Sequence, residues 1–126
     1  MIDALFAQPD YLAAKKMLDA TVLRQEAIAS NLANVETPNY KRLDVSPSFE
    51  SQLQQAVSSQ DPKQIAATQP ELAVDASAVS GRSDGNTVLL ESEMLKLNQN
   101  MVEHSVETEM VSYSLQRLKT AVTGQI

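Results

Sequence analysis

The stretch Asn31-Leu-Ala-Asn-Val-Glu-Thr-Pro-Asn-Tyr-Lys-Arg42 marks the end of a helix and an abrupt change in chain direction. Pro38 has no N–H, and in a continuing helix its ring would collide with the carbonyl group of Asn34. Proline also drives the residue before it, Thr37, towards an extended backbone. Asn39 follows, and asparagine tolerates a positive φ better than most other non-glycine residues. The stretch therefore predicts a helix stop, a turn and an extended exit.

The spacing of apolar residues predicts a long helix on each side of this stop. Residues 11–34 contain no glycine or proline, and Leu18, Val22, Ala29 and Leu32 share one face. The C-terminal signal is stronger, because one face repeats at alternating intervals of four and three residues. We call this face the heptad seam; its members are Leu90, Met94, Leu97, Met101, His104, Thr108, Val111, Leu115, Leu118 and Val122.

The N-terminal helix is too short to cover the whole seam. Apolar side chains left uncovered on a helix favour packing against further helices. We therefore expect contacts between subunits through a common set of apolar residues on the two helices: Leu18, Val22, Leu32, Leu90, Met94, Leu97, Met101, Val111, Leu115 and Leu118.

The predicted fold is mainly α, with the two terminal helices packed together as a coiled-coil-like bundle. Residues 1–42 hold the N-terminal helix and the turn, and residues 87–126 hold the C-terminal helix. The middle, residues 43–86, is rich in Ser, Gln, Ala, Asp and Pro, and it is predicted to be irregular and partly disordered. One short helix is expected near residues 47–57, where Phe49, Leu53 and Val57 recur at helical spacing.

Length and charge limit the possible functions. The 126 residues are enough for one domain, and the net charge of −6 argues against a surface that binds nucleic acid. Lys41 and Arg42 are interpreted as contacts at the rim of a surface. The absence of cysteine excludes disulfides and thiolate metal sites. Residues 1–6 lack the features of a Sec signal peptide, and no apolar run approaches the length of a membrane span.

No pattern in the sequence indicates catalysis or cofactor binding. Phosphate-binding loops, nucleophile elbows and metal-ligand spacings are absent from the sequence. His104, the single histidine, is interpreted as a hydrogen-bonded interior or interface residue. The acidic residues of the C-terminal helix are interpreted as a solvated or partner-facing surface: Glu91, Glu93, Glu103, Glu107 and Glu109.

The run Asn31-Leu32-Ala33-Asn34, followed by Thr37-Pro38 and Tyr40, resembles the signature of bacterial flagellar rod, hook and hook-associated proteins. That signature reads Asn-[Ile/Leu]-Ala-Asn followed by Thr-Pro-Gly-Tyr. The likeness covers residues 9–50 and 84–123 and leaves the middle unmatched. Ser30 and Asn39 depart from the usual residues, but serine is small and asparagine tolerates the left-handed conformation.

The resemblance implies a structural subunit of the proximal rod, the periplasmic drive shaft of the flagellar basal body. Implied partners are further copies of the chain, the rod protein FlgC, the adaptor FliE, the ring protein FliF and other axial proteins. It also implies export from the cytoplasm by the flagellar type III apparatus, whose gate reads a Phe-x-x-x-hydrophobic element. Phe49 and Leu53 match that element, although a small amphipathic helix would give the same spacing.

Two alternatives remain at this point. One is a related axial protein such as FlgC. The other, from a different class, is a non-flagellar coiled-coil adaptor or secretion chaperone, which would use the same heptads to form a discrete oligomer in solution.

Overall fold

The computed structural model describes residues 8–124 of the chain. The first element, α1 (Pro9–Ala33), begins with Pro9 in its first turn and has Asp10 near the positive end of its dipole. It ends at Ala33, where the backbone N–H of Asn34 bonds back to the carbonyl groups of the last turn. The sequence therefore predicted the helix stop correctly. The N-terminal residues 1–6, considered above for a signal peptide, lie outside the described residues.

The middle of the chain forms four short elements. They are β1 (Leu43–Val45), α2 (Ser48–Ser59), α3 (Pro62–Ala67) and β2 (Leu72–Val74). The strands form an antiparallel pair in which Leu43 lies opposite Val74 and Val45 opposite Leu72. The Asp61 side chain caps α3 by accepting a hydrogen bond from the backbone N–H of Lys63.

This middle segment is more regular than its composition predicted. Phe49, Leu53 and Ile65 are buried together with Ala20 of α1 and Val45 of β1. Each of the three large side chains contributes about 1.5–3 kcal/mol when it leaves water. The prediction of a partly disordered middle is therefore not confirmed, because a few apolar residues find their partner surface on α1 rather than forming a core of their own. The short helix expected near residues 47–57 is present.

The last element, α4 (Leu90–Thr123), is a helix of 34 residues, about 51 Å long. Glu91 and Glu93 lie in its first turn, and Gly124, with a φ of 65°, closes its end in the left-handed conformation. It packs along α1, so the two long helices form the frame of the fold. Neither they nor the shorter described helices are long and apolar enough to cross a membrane.

Candidate assembly surface and the turn that positions it

The turn after α1 is held by its own side chains. Asn34 donates from Nδ2 to the carbonyl oxygen of Ser30 at 2.8 Å and accepts at Oδ1 from the Thr37 hydroxyl at 3.1 Å. Asn39 has a φ of 60°, as the sequence predicted for this position. Thr37 and Pro38 are exposed. These residues shape the turn rather than line a ligand site.

The loop before α4 closes over this turn. Asn86 is buried, and its Nδ2 donates to the carbonyl oxygens of Asn34, Val35 and Thr37 at 2.9, 3.2 and 2.8 Å. Arg82 adds a bond from Nη1 to the Val35 carbonyl oxygen at 2.6 Å. The carbonyl groups at the end of α1 thus find donors 47–52 residues further along the chain, which fixes where α4 begins.

Asn31, the first residue of the signature, joins α1, β1 and α4. It is fully buried, and its amide exchanges two hydrogen bonds of 2.9 Å with the backbone N–H and C=O of Leu43. Nδ2 also donates to Glu93 Oε2 at 3.2 Å, and Oδ1 accepts from the Tyr40 hydroxyl at 3.3 Å. The side chain therefore takes the place of a neighbouring strand at β1 while it holds α1 to α4.

Arg42 and Glu93 form a buried ion pair beside Asn31. Arg42 is 3% exposed and Glu93 is 0% exposed, so the predictions of a rim contact and a solvated carboxylate are both wrong. Arg42 Nη1 also contacts Asp44 and Asp75, each at 2.8 Å. Burial alone would lower the pKa of Arg42, but hydrogen bonds and charges from Asp44 and Glu93 raise it above its usual value.

Asp75 completes this cluster from the end of β2. Hydrogen bonds from Ser77, followed by those from Arg42, hold the pKa of Asp75 below its usual value. Because each carboxylate comes from a different part of the chain, the guanidinium group of Arg42 ties the strand pair to α4. The Nη2 atom of Arg42 is buried without a hydrogen-bond partner among the described residues, so the hydrogen bonds of this guanidinium group are not all satisfied.

The contact between α1 and α4 is polar at its centre. Asn100 is buried and donates to the carbonyl oxygen of Thr21 at 2.9 Å and to Gln25 Oε1 at 3.2 Å. The Thr21 hydroxyl is also 3.0 Å from Nδ1 of His104. The expected coiled-coil packing through the heptad seam is therefore not confirmed, because the buried polar side chains of Glu93 and Asn100 lie in this contact.

Most of the heptad seam remains exposed beside that contact. Leu90, Met94, Met101 and Leu115 are 39–58% exposed, and Val22 of α1 is 47% exposed. Four other predicted packing residues are half-buried: Leu18, Leu32, Leu97 and Val111. Leu118 is buried within the chain and so has no surface to offer a neighbour.

A second apolar row on α4 escaped the sequence analysis. Leu95, Val102, Val106 and Tyr113 are 52–65% exposed and follow one another at intervals of seven, four and seven residues. At about 100° per residue, they lie about 200–240° around the helix from Asn100. We call this row the ridge. Its heptad spacing was the signal that could have revealed it, but the longer seam obscured it.

An open hollow lies between α1 and α4 on the side of the seam. Its volume is about 440 Å³, and its walls include Val22, Gln25 and Glu26 of α1 and Met101, His104 and Ser105 of α4. We call this hollow the groove. Among the described residues, no three acidic, histidine or cysteine side chains come close enough to hold a metal ion.

The two residues of the predicted export element lie away from these surfaces. Phe49 is 2% exposed and Leu53 is 5% exposed, and both belong to the core under α1. In the folded chain they pack within the subunit. A receptor could reach them only in an unfolded chain.

Comparisons with known proteins agree with the likeness seen in the signature. Residues 18–41 match the family described as "Flagella basal body rod protein". A protein of Bacillus subtilis named flagellar basal body rod protein FlgB is 32% identical over 110 residues, which cover 81% of this chain and 84% of the relative. Proteins of the same name from Borrelia hermsii and Cereibacter sphaeroides are each 28% identical, covering 86% and 81% of this chain and 92% and 84% of the relatives.

Proposed function

Because the chain belongs to the FlgB family of flagellar basal body rod proteins, we propose that it forms part of the proximal rod, the periplasmic drive shaft between the membrane ring and the distal rod and hook. The observation that best supports this role is the exposed apolar surface of α4. Soluble monomers rarely leave large contiguous apolar patches uncovered, and such patches mark interaction sites. The role is structural and requires no cofactor.

Packing between helices of different subunits would cover this surface. The seam residues Leu90, Met94 and Met101 lie on one side of α4, where a neighbouring helix can pack beside α1. Each such side chain contributes up to about 1.5–3 kcal/mol when a neighbour removes it from water. A shaft that transmits torque is better served by many packed helical contacts than by flexible loops.

The partners in this proposal are other copies of the chain and the neighbouring components of the basal body. They include the rod protein FlgC, the adaptor FliE, the ring protein FliF and the gate of the type III export apparatus. Subunits that contact one another through different faces build open helical assemblies, which is the symmetry that a rod requires.

Electron microscopy of basal bodies tests the proposed role. A strain that lacks this protein should show membrane rings without rod or hook, and complementation should restore both. Intact rods and hooks in the deletion strain would refute the role.

We also propose that Phe49 and Leu53 are read by the export gate in the unfolded chain. Their burial in the folded core is compatible with this, since export would precede folding. Ile65 is a matched control because it is buried in the same core, at 0% exposure. Phe49→Ala should reduce the secreted amount, whereas Ile65→Ala should leave export intact. Equal secretion of both variants would contradict gate recognition at Phe49 without affecting the proposed rod function.

A further inference from the structure

All sulfur atoms of this chain belong to methionines, because the sequence has five methionines and no cysteine. Three of the methionines lie on α4 and are well exposed: Met94 at 46%, Met101 at 58% and Met110 at 50%. Met17 of α1 is half-buried and packs against the apolar core. Among the described residues, an oxidant that attacks sulfur therefore meets α4 first.

Met94 and Met101 stand seven residues apart on the heptad seam. At about 100° and 1.5 Å per residue, they lie within about 20° of each other around α4 and about 10 Å apart along its axis. Met101 also lines the groove, together with Val22 of α1. Met110 lies about 180° around the helix from Met101, beside the ridge. Two exposed thioethers thus form part of the surface that the proposed rod function assigns to contacts with neighbouring subunits.

We propose that Met94 and Met101 are sites of reversible sulfoxidation, and that their oxidation state decides whether a free subunit joins the rod. The inference deepens the proposed rod function and rests on it. Hydrogen peroxide transfers one oxygen atom to the thioether sulfur: a sulfur–oxygen bond forms, the O–O bond breaks, the sulfur loses two electrons, and water leaves. Methionine sulfoxide reductases return the sulfoxide to the thioether with two electrons from a pair of thiols, which leave as a disulfide, and the oxygen departs as water.

The exposure of the two thioethers explains why oxidation spares the fold and affects assembly. In the free subunit the new S=O group faces water, which supplies its hydrogen bonds, so the folded chain loses little stability. In a contact between helices the same oxygen loses water without gaining a donor. One unsatisfied buried polar group of this kind weakens a contact by about 5–150-fold. A covered seam shields both sulfur atoms, so oxidation acts on the free subunit.

Peptide mass spectrometry after limited treatment with hydrogen peroxide tests the two sites. In the folded free subunit, the three methionines of α4 should be oxidised about five times faster than Met17, because they are more exposed. In isolated basal bodies given the same treatment, oxidation of Met94 and Met101 should fall by about fivefold. Undiminished oxidation of both methionines in normal rods would mean that the seam is uncovered there. That result would overturn the inference while leaving the rod function intact.

Leucine variants separate the seam from the rest of α4, because leucine is apolar and has no sulfur to oxidise. A chain with both Met94→Leu and Met101→Leu should build rods at a peroxide dose that stops rod formation with the natural protein. Met110→Leu is the matched control, since it removes a similarly exposed methionine from the opposite side of α4, and it should stay sensitive. Each chain is expressed in a strain lacking the natural protein, and rods are counted by electron microscopy. Equal behaviour of the three chains under peroxide would overturn the inference.

Glutamine imitates the polar sulfoxide without any oxidant. A chain with both Met94→Gln and Met101→Gln should fold with an unchanged midpoint of urea unfolding and yet fail to form rods, whereas Met110→Gln should form them. Normal rods built from the double variant would overturn the inference. Rods that form when the chain is absent altogether would instead refute the proposed function.

Discussion

Replacing Asn31 with alanine should destabilise the folded chain more than any other single truncation within the signature. The change removes an amide that exchanges two hydrogen bonds of 2.9 Å with the backbone of Leu43. The N–H and C=O groups of Leu43 then lose their partners at a site where Asn31 itself is 0% exposed. An unsatisfied buried polar group costs about 1–3 kcal/mol, so Asn31→Ala should cost about 2–4 kcal/mol after partial rescue by water.

Asn34→Ala is the matched control, because it truncates the same residue type three positions further along the chain, at the end of α1. Its amide bonds to the Ser30 carbonyl oxygen and to the Thr37 hydroxyl. The Ser30 carbonyl still accepts from the backbone N–H of residue 34 at 3.1 Å, so the truncation leaves no buried group without a partner. We expect a cost of about 0.5–1 kcal/mol.

Urea unfolding of the purified variants, followed by far-ultraviolet circular dichroism, measures both changes. With a slope of about 2 kcal/mol per molar urea, the midpoint for Asn31→Ala should fall by about 1–2 M. Asn31→Asp should be at least as unstable at pH 7, because it turns an oxygen towards Glu93 Oε2 and the Leu43 carbonyl. If Asn31→Ala lowered the midpoint no more than Asn34→Ala, the proposed bridging role of Asn31 would be refuted.

Three further substitutions test the Arg42–Glu93 ion pair, the half-buried Glu107 and the heptad seam. Glu93→Gln should lower the free energy of unfolding, measured in urea, by about 1–3 kcal/mol, because Arg42 keeps two other carboxylate partners. The control Glu91→Gln, on the surface, should change it by less than about 0.5 kcal/mol. Equal losses of stability in the two variants would contradict a buried ion pair. Burial, with a smaller effect from the charge of Glu103, raises the pKa of Glu107, so its ionisation in the folded state lowers stability as pH rises above the usual value of 4.5. Glu107→Gln should therefore raise the midpoint of thermal unfolding at pH 7 and lose this advantage below pH 4.5, and a variant no more stable at pH 7 would count against that reasoning. Leu115→Asp should fold but block rod formation in cells, because it puts a charge where a neighbouring helix would pack, and normal rods would show that this position faces solvent.

Local constraints made the turn predictable from the sequence. Pro38 stops a helix wherever it occurs, and Asn39 is one of the few residue types that accept a positive φ. The helix Ser48–Ser59 lies where the spacing of Phe49 and Leu53 indicates one. These inferences depend on covalent geometry and on neighbours within about two helical turns, both of which are visible in a single sequence.

Burial of charge was not predictable, because it depends on partners far along the chain. Arg42 and Glu93 are 51 residues apart, and each alone looks like an ordinary surface charge. Charged residues are almost never fully buried unless they are paired, so the default interpretation places them in water. Glu93 and Asn100 do stand one heptad apart on the same face, and this polar spacing was the available sign that the helix contact is not purely apolar.

Dependence on distant partners also explains why the order of the middle segment was not predicted. Ile65 stands almost alone among polar and small residues, so its sequence surroundings indicate little core. In the structure it is completely buried, because α3 brings it against Phe49 and Ala20. A short segment can bury its few apolar residues against an element elsewhere in the chain, and the sequence pattern of the segment alone does not reveal that contact.

The distribution of polar and apolar contacts on α4 connects the fold to its role in assembly. Directional hydrogen bonds from Asn100 and Glu93 help to position α4 on α1, beside the burial of Leu118. Most large apolar side chains of α4 then remain exposed, so they contribute little to the stability of the free subunit and are available for contacts with other subunits. Burial of apolar side chains is the main non-directional source of association energy. Contacts between subunits that bury these exposed side chains would therefore stabilise an assembly. A chain built in this way would gain stability from contacts with neighbouring subunits, which suits a structural protein of the flagellar basal body rod.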